Sequence, residues 1–67
     1  MFIYQKNKLI IKDLKKIILL KDTQIIVKTN QHNIIIKGNE LTLGYFECFE
    51  VHILGLIKEI SINENKF

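Results

Sequence analysis

Arginine and proline are missing from this chain of 67 residues, cysteine occurs once, and glycine only three times. Each shortage removes a class of reading. All ten basic residues are lysines, hydrated point charges without the planar fork that reads guanine or grips phosphate through two bonds, so specific nucleic-acid recognition is disfavoured. One cysteine, Cys48, cannot build a disulfide framework, and nothing else points to secretion. Without proline, a glycine-serine tract or low-complexity sequence there is no candidate linker, and residues 1–67 read as one domain. Gly38, Gly44 and Gly55 fall in no phosphate-cradling pattern, neither Gly-x-Gly-x-x-Gly nor a Gly-Lys-Ser/Thr pair, and read as turn residues. Uninterrupted apolar runs stop at four residues, against roughly 20 for a helix that spans a bilayer. Met1-Phe2-Ile3-Tyr4 opens apolar, yet charge follows at once, with no long apolar stretch or small-residue cleavage site. A cytoplasmic protein is expected.

What is present is aliphatic and β-branched. The chain is 48% hydrophobic and 25% charged, the balance of a folded domain, and isoleucine dominates, as in Ile34-Ile35-Ile36. β-Branched and aromatic side chains fit a pleated surface better than a helix. A single core in so short a chain is only marginally sufficient, so a partner or a second copy would help stabilise it. The net charge of +3 allows a weak attraction to anionic membrane surfaces, although Lys6, Lys8, Lys12, Lys15 and Lys16 read first as a solvated face.

The periodicity predicts an all-β, antiparallel meander of about five to seven short strands, curled or sandwich-like. Residues 8–12 place Leu9 and Ile11 on one face and Ile10 on the other. Residues 14–20 fit a short helix through Leu14, Ile17 and Ile18, but the run 17–20 fits a strand buried on both faces, and strand is preferred. Residues 24–29 alternate as a strand, Asn30-Gln31-His32-Asn33 supplies a hairpin turn, and 34–37 resume the β pattern. Gly38-Asn39-Glu40 reads as the next tight connection, leading to Leu41, Leu43 and Tyr45 on one face and Thr42, Gly44 and Phe46 on the other. Gly55 reads as a bend or bulge in a long last strand that carries Ile57, Ile60 and Ile62. The echo between Ile35-Ile36-Lys37-Gly38 and Ile53-Leu54-Gly55 is taken as two successive β-turn-β corners.

Chemistry-bearing residues are sparse, and no catalytic, cofactor-binding or metal-binding residue is assigned. His32 and His52 stand apart with no metal-ligand spacing. Cys48 near His52, Glu47 and Glu50 would need an orienting group and an oxyanion hole to act as a nucleophile, and a lone cysteine between Phe46 and Phe49 reads as a small apolar residue. Glu47 and Glu50 read as turn carboxylates. Tyr4, Tyr45, Phe46 and Phe49 could form a stacking platform for single-stranded nucleic acid, but no lysine lies between Gly38 and Leu56. These rings are therefore expected in the core or, failing that, in a protein-contact patch.

Two segments carry a family likeness. Asp22-Thr23-Gln24-Ile25-Ile26-Val27-Lys28-Thr29, followed by Ile34-Ile35-Ile36-Lys37-Gly38-Asn39-Glu40-Leu41-Thr42-Leu43, is similar to a strand, a polar turn and an I-x-I-x-G-x-x-L-x-I pattern. Glu50-Val51-His52-Ile53-Leu54-Gly55-Leu56-Ile57-Lys58-Glu59-Ile60-Ser61-Ile62 is similar to a closing I-x-G-x-I-x-x-I run. In this order and spacing, residues 18–62 resemble the YabP/YqfC family of small sporulation proteins of endospore-forming Firmicutes. The family has no assigned catalytic residues. The resemblance implies a non-enzymatic structural or accessory role in spore coat or cortex formation. It places that role in the mother cell, at the forespore envelope, beside a membrane-bound sporulation partner. Strand addition at open sheet edges, to a partner or to a second copy, and at most a peripheral association with membrane would suit such a role. The competing readings are a small nucleic-acid-binding β module or regulator and, last, a minimal enzyme.

Overall fold

A computed structural model of the protein describes residues 2–5 and 7–64, with side chains from Asn7 onward. Among these residues there is no helix. Six strands, β1 (Phe2–Gln5), β2 (Lys8–Ile11), β3 (Leu14–Leu20), β4 (Gln24–Thr29), β5 (His32–Glu47) and β6 (Glu50–Glu64), form one antiparallel sheet in the order β1-β2-β6-β5-β4-β3. β3 to β6 make the expected meander, while the β1–β2 hairpin adds to the far side of β6.

That order forces the sheet to curl. Only Lys12 and Asp13 join β2 to β3, which sit four strand intervals apart. In a flat sheet those intervals would span about 19 Å, whereas three extended peptide links reach only about 11 Å. The long strands tell the same story: β5 has 16 residues, about 50 Å if straight, in a molecule whose longest extent is 29 Å. The sheet folds over on itself without closing. Leu14 N–H at the start of β3 donates to Phe49 O at the β5–β6 turn across the mouth of the fold, 2.8 Å away.

The bend is built into the two long strands. Register shifts between Lys37 and Gly38, Asn39 and Thr42, and Leu43 and Tyr45 interrupt the β5–β6 ladder. Glu40 takes a positive φ of 53° and Gly55 one of 129°. The residues expected to form a separate tight turn, Gly38-Asn39-Glu40, instead lie inside β5 as the bulge that makes this corner. Gly38 and Gly55 do not mark successive corners; they belong to the same one. A Cβ on Gly38 would fall on the carbonyl oxygen of Leu56, and one on Gly55 would lie 2.6 Å from Glu40 O. Backbone donors freed by the bulge are satisfied from the neighbouring turns. Gly38 N–H donates to Thr23 O and Leu41 N–H to Asp22 O, at 3.1 and 2.8 Å, and Gly55 N–H donates to Asn7 O at 3.2 Å.

Inside the fold lies a wholly aliphatic core of Leu9, Ile11, Leu14, Ile25, Val27, Ile34, Ile36, Leu41, Val51, Ile53 and Ile57, with Ile17, Leu43 and Ile60 against it. Leu9 and Ile11 are buried and Ile10 is not, as their alternation predicts, and Ile25 and Val27 repeat the pattern in β4. β3 is a strand, but Ile18 and Leu20 are about half exposed, so the run 17–20 is not buried on both faces. The reason is the single layer: Ile18 and Leu20 point to the outer face of the sheet, which no other element of the described chain covers.

Candidate functional site

The residues with reactive or recognising side chains gather at the β5–β6 hairpin. Cys48 and Phe49 are its two turn residues, and both have positive φ, 53° and 63°. Two such residues in a two-residue loop give the type I′ geometry that matches strand twist, usually taken by Asn-Gly. The turn therefore holds the Cys48 thiol in solvent and leaves Phe49 72% exposed. Glu47 and Glu50 face one another as the last cross-strand pair before the turn.

From Glu50 the ladder leads to His52, whose Nε2 lies 2.6 Å from Glu50 Oε2 in a half-buried pair. Tyr45 sits opposite His52 in register, with the ring centroids 4.7 Å apart. The Tyr45 phenol titrates above its ordinary value, chiefly from desolvation against the sheet and then from the negative charge of Glu47, Cys48 and Glu50. The imidazole is thus engaged by a carboxylate and a phenol ring, and no hydrogen bond joins it to Cys48 among the described residues. His32 lies at the opposite end of the same ladder, paired with Glu64 and bonded through its backbone to Thr29 Oγ1.

The aromatic residues are not core. Tyr45 is 41% and Phe46 58% exposed, and the side chain of Tyr4 lies outside the described residues. A slip in register explains Tyr45. Leu43 pairs with buried Ile53, but after the irregularity at Gly44 the next pair is Tyr45 with His52, where an unbroken register would pair Tyr45 with Val51. Tyr45 therefore turns to the outer face and leaves Leu41 and Leu43 inside. Simple alternation in the sequence had no means of signalling that slip except Gly44 itself.

Lys8 lies on β2, Lys12 in the β2–β3 connection, and Lys15 and Lys16 on the β3 edge, while Lys6 lies outside the described residues. The two edges of the sheet are β1 and β3. β3 carries exposed Lys15 and Lys16 together with two register shifts, features that discourage indiscriminate edge pairing. No described helix is long and apolar enough to cross a membrane. Compared with known proteins, the chain matches no family model, no curated protein and no solved structure.

Proposed function

We propose that this chain is a non-enzymatic accessory or structural protein of sporulation, acting in the mother cell at the forespore envelope through protein–protein contacts. The observation that carries this reading is the order and spacing of the two segments that resemble the YabP/YqfC pattern. In the fold these segments are physical partners: the first runs through β4 into β5, the second is β6, and the glycine of each lies against the bulge of the other. The likeness therefore falls on the residues that define the corner and not on scattered apolar positions.

Among the described residues, His52 is bonded to Glu50, and no hydrogen bond joins it to the exposed Cys48. Open edges at β1 and β3 suit strand addition by a partner.

The test is deletion of the gene in its native host, with counts of heat-resistant spores and imaging of a fluorescent fusion. A fall in resistant spores, with the fusion gathered around the forespore, is expected. Normal spores, or a defect confined to growth, would sink the proposal. A second reading, a small nucleic-acid-binding module or regulator, draws on the exposed Tyr45, Phe46 and Phe49 rings. It ranks behind the first because Glu47 and Glu50 adjoin those rings and would repel phosphate. Salt-sensitive binding of single-stranded RNA or DNA at micromolar protein would reverse that order.

A further inference from the structure

On the outer face of the sheet, away from the hairpin, β3, β4, β5 and β6 form a groove of about 420 Å³. Its apolar floor is Ile18, Ile26 and Ile35, its flank Lys16 and Lys28, and its far side Asn33 and Asn63. Lys16 and Lys28 are direct cross-strand partners. Like charges placed opposite one another on adjacent strands repel, and neither lysine has a carboxylate within ion-pairing distance among the described residues. No acidic side chain lines the groove.

We propose that this face is a docking surface for an anionic phospholipid membrane. Two cross-strand lysines with no counter-charge on the groove suit the phosphate of an anionic headgroup. The isoleucine floor is the part that selects a lipid over a soluble anion. Interfacial binding combines apolar contact with attraction to anionic headgroups, and the Ile18 side chain is available for it at 48% exposure. Aromatic rings, which a nucleic-acid platform needs, are absent from the groove. This inference goes beyond the proposed sporulation role and does not depend on it.

Flotation of the purified full chain with vesicles tests it. Binding is expected to phosphatidylglycerol-containing vesicles, to weaken with salt, and to be lost on pure phosphatidylcholine. Each groove lysine near an anionic surface is worth roughly five-fold in affinity, so Lys16→Ser with Lys28→Ser should weaken binding about 25-fold. The charge-matched control Lys12→Ser with Lys21→Ser, at exposed positions outside the groove, should retain most of the binding. Ile18→Ser should weaken binding at every salt concentration, with the fold checked by circular dichroism. Equal losses in the two lysine pairs would reduce the attraction to net charge and overturn the proposal. Equal binding to both kinds of vesicle, or tighter capture of an oligoglutamate peptide than of vesicles by the same two lysines, would overturn it as well. Spore counts read the role proposed above; flotation reads this surface alone.

Discussion

Gly38 and Gly55 each give up the space of a side chain to the backbone of the opposite strand, Gly38 to the carbonyl of Leu56 and Gly55 to that of Glu40. The reciprocal contact sets where β5 and β6 bend together. Alanine at either site is expected to destabilise the fold by about 2–4 kcal/mol, because the obstacle is backbone and Gly55 also holds a positive φ. Gly44→Ala is the comparison, since a Cβ there meets only the flexible end of Leu54, and a cost below about 1 kcal/mol is expected. Urea denaturation midpoints of the three variants decide it; a Gly38→Ala loss no larger than that of Gly44→Ala would refute the shared corner.

The β5–β6 turn should be improvable. Cys48 and Phe49 both occupy the left-handed region, at roughly 1–2 kcal/mol each for an L-residue. Replacing Cys48 with Asn and Phe49 with Gly should stabilise the chain by about 1–2 kcal/mol. The thermal midpoint should rise, and a fall would mean that the Phe49 ring contributes packing that outweighs the strain.

Alkaline stability should depend on Tyr45. Its pKa is raised in the folded chain above the ordinary 10.0, by desolvation first and then by Glu47, Cys48 and Glu50. The folded state therefore holds its proton more tightly than the unfolded chain. The associated stability is complete below pH 10 and is lost as pH rises through the folded value. Phenolate absorbance followed against pH should show a late-titrating tyrosine that disappears in Tyr45→Phe and moves toward the ordinary value in Glu47→Gln with Glu50→Gln.

Core and edge isoleucines should separate cleanly. Ile36 is fully buried, and Ile36→Ala is expected to cost about 2–5 kcal/mol, enough to unfold much of so small a domain. Ile18→Ala, at the half-exposed edge of β3, should cost below about 1 kcal/mol. Comparable losses would show that β3 is covered on its outer side in solution.

Local pattern made much of this fold legible. β4 begins and ends where the alternation of 24–29 says it should, the faces of Leu9, Ile10 and Ile11 are as their spacing predicts, and Gly55 does bend the last strand. What escaped depended on strand partners. Gly38-Asn39-Glu40 has the chemistry of a turn, and a bulge uses the same chemistry. The two differ only in whether the following residues return to pair with the strand just left or stay in register with a third, here β6. Likewise, nothing within residues 17–20 tells whether a second layer covers the outer face, and Tyr45 was turned outward by a slip that only the pairing with β6 defines. At the candidate sites, the Glu50 and His52 pair was near enough in sequence to be noticed. The meeting of Lys16 with Lys28 was not, because it rests on the irregular register of β3.

The two-residue passage of Lys12 and Asp13 between strands four places apart also dictates a folding history. Turns of a few residues join β3 to β4, β4 to β5 and β5 to β6, so these pairings can form early, whereas β2 must find a partner more than 40 residues downstream, Leu9 opposite Ile53. The short tether lets that happen only once the other strands have curled far enough to bring β6 within its reach. In pulse-labelled hydrogen exchange during refolding, the amides of Leu9 and Ile11 should gain protection after those of Ile25 and Val27. The amino-terminal hairpin is thus the latch of the fold, the last piece to engage and the first to let go.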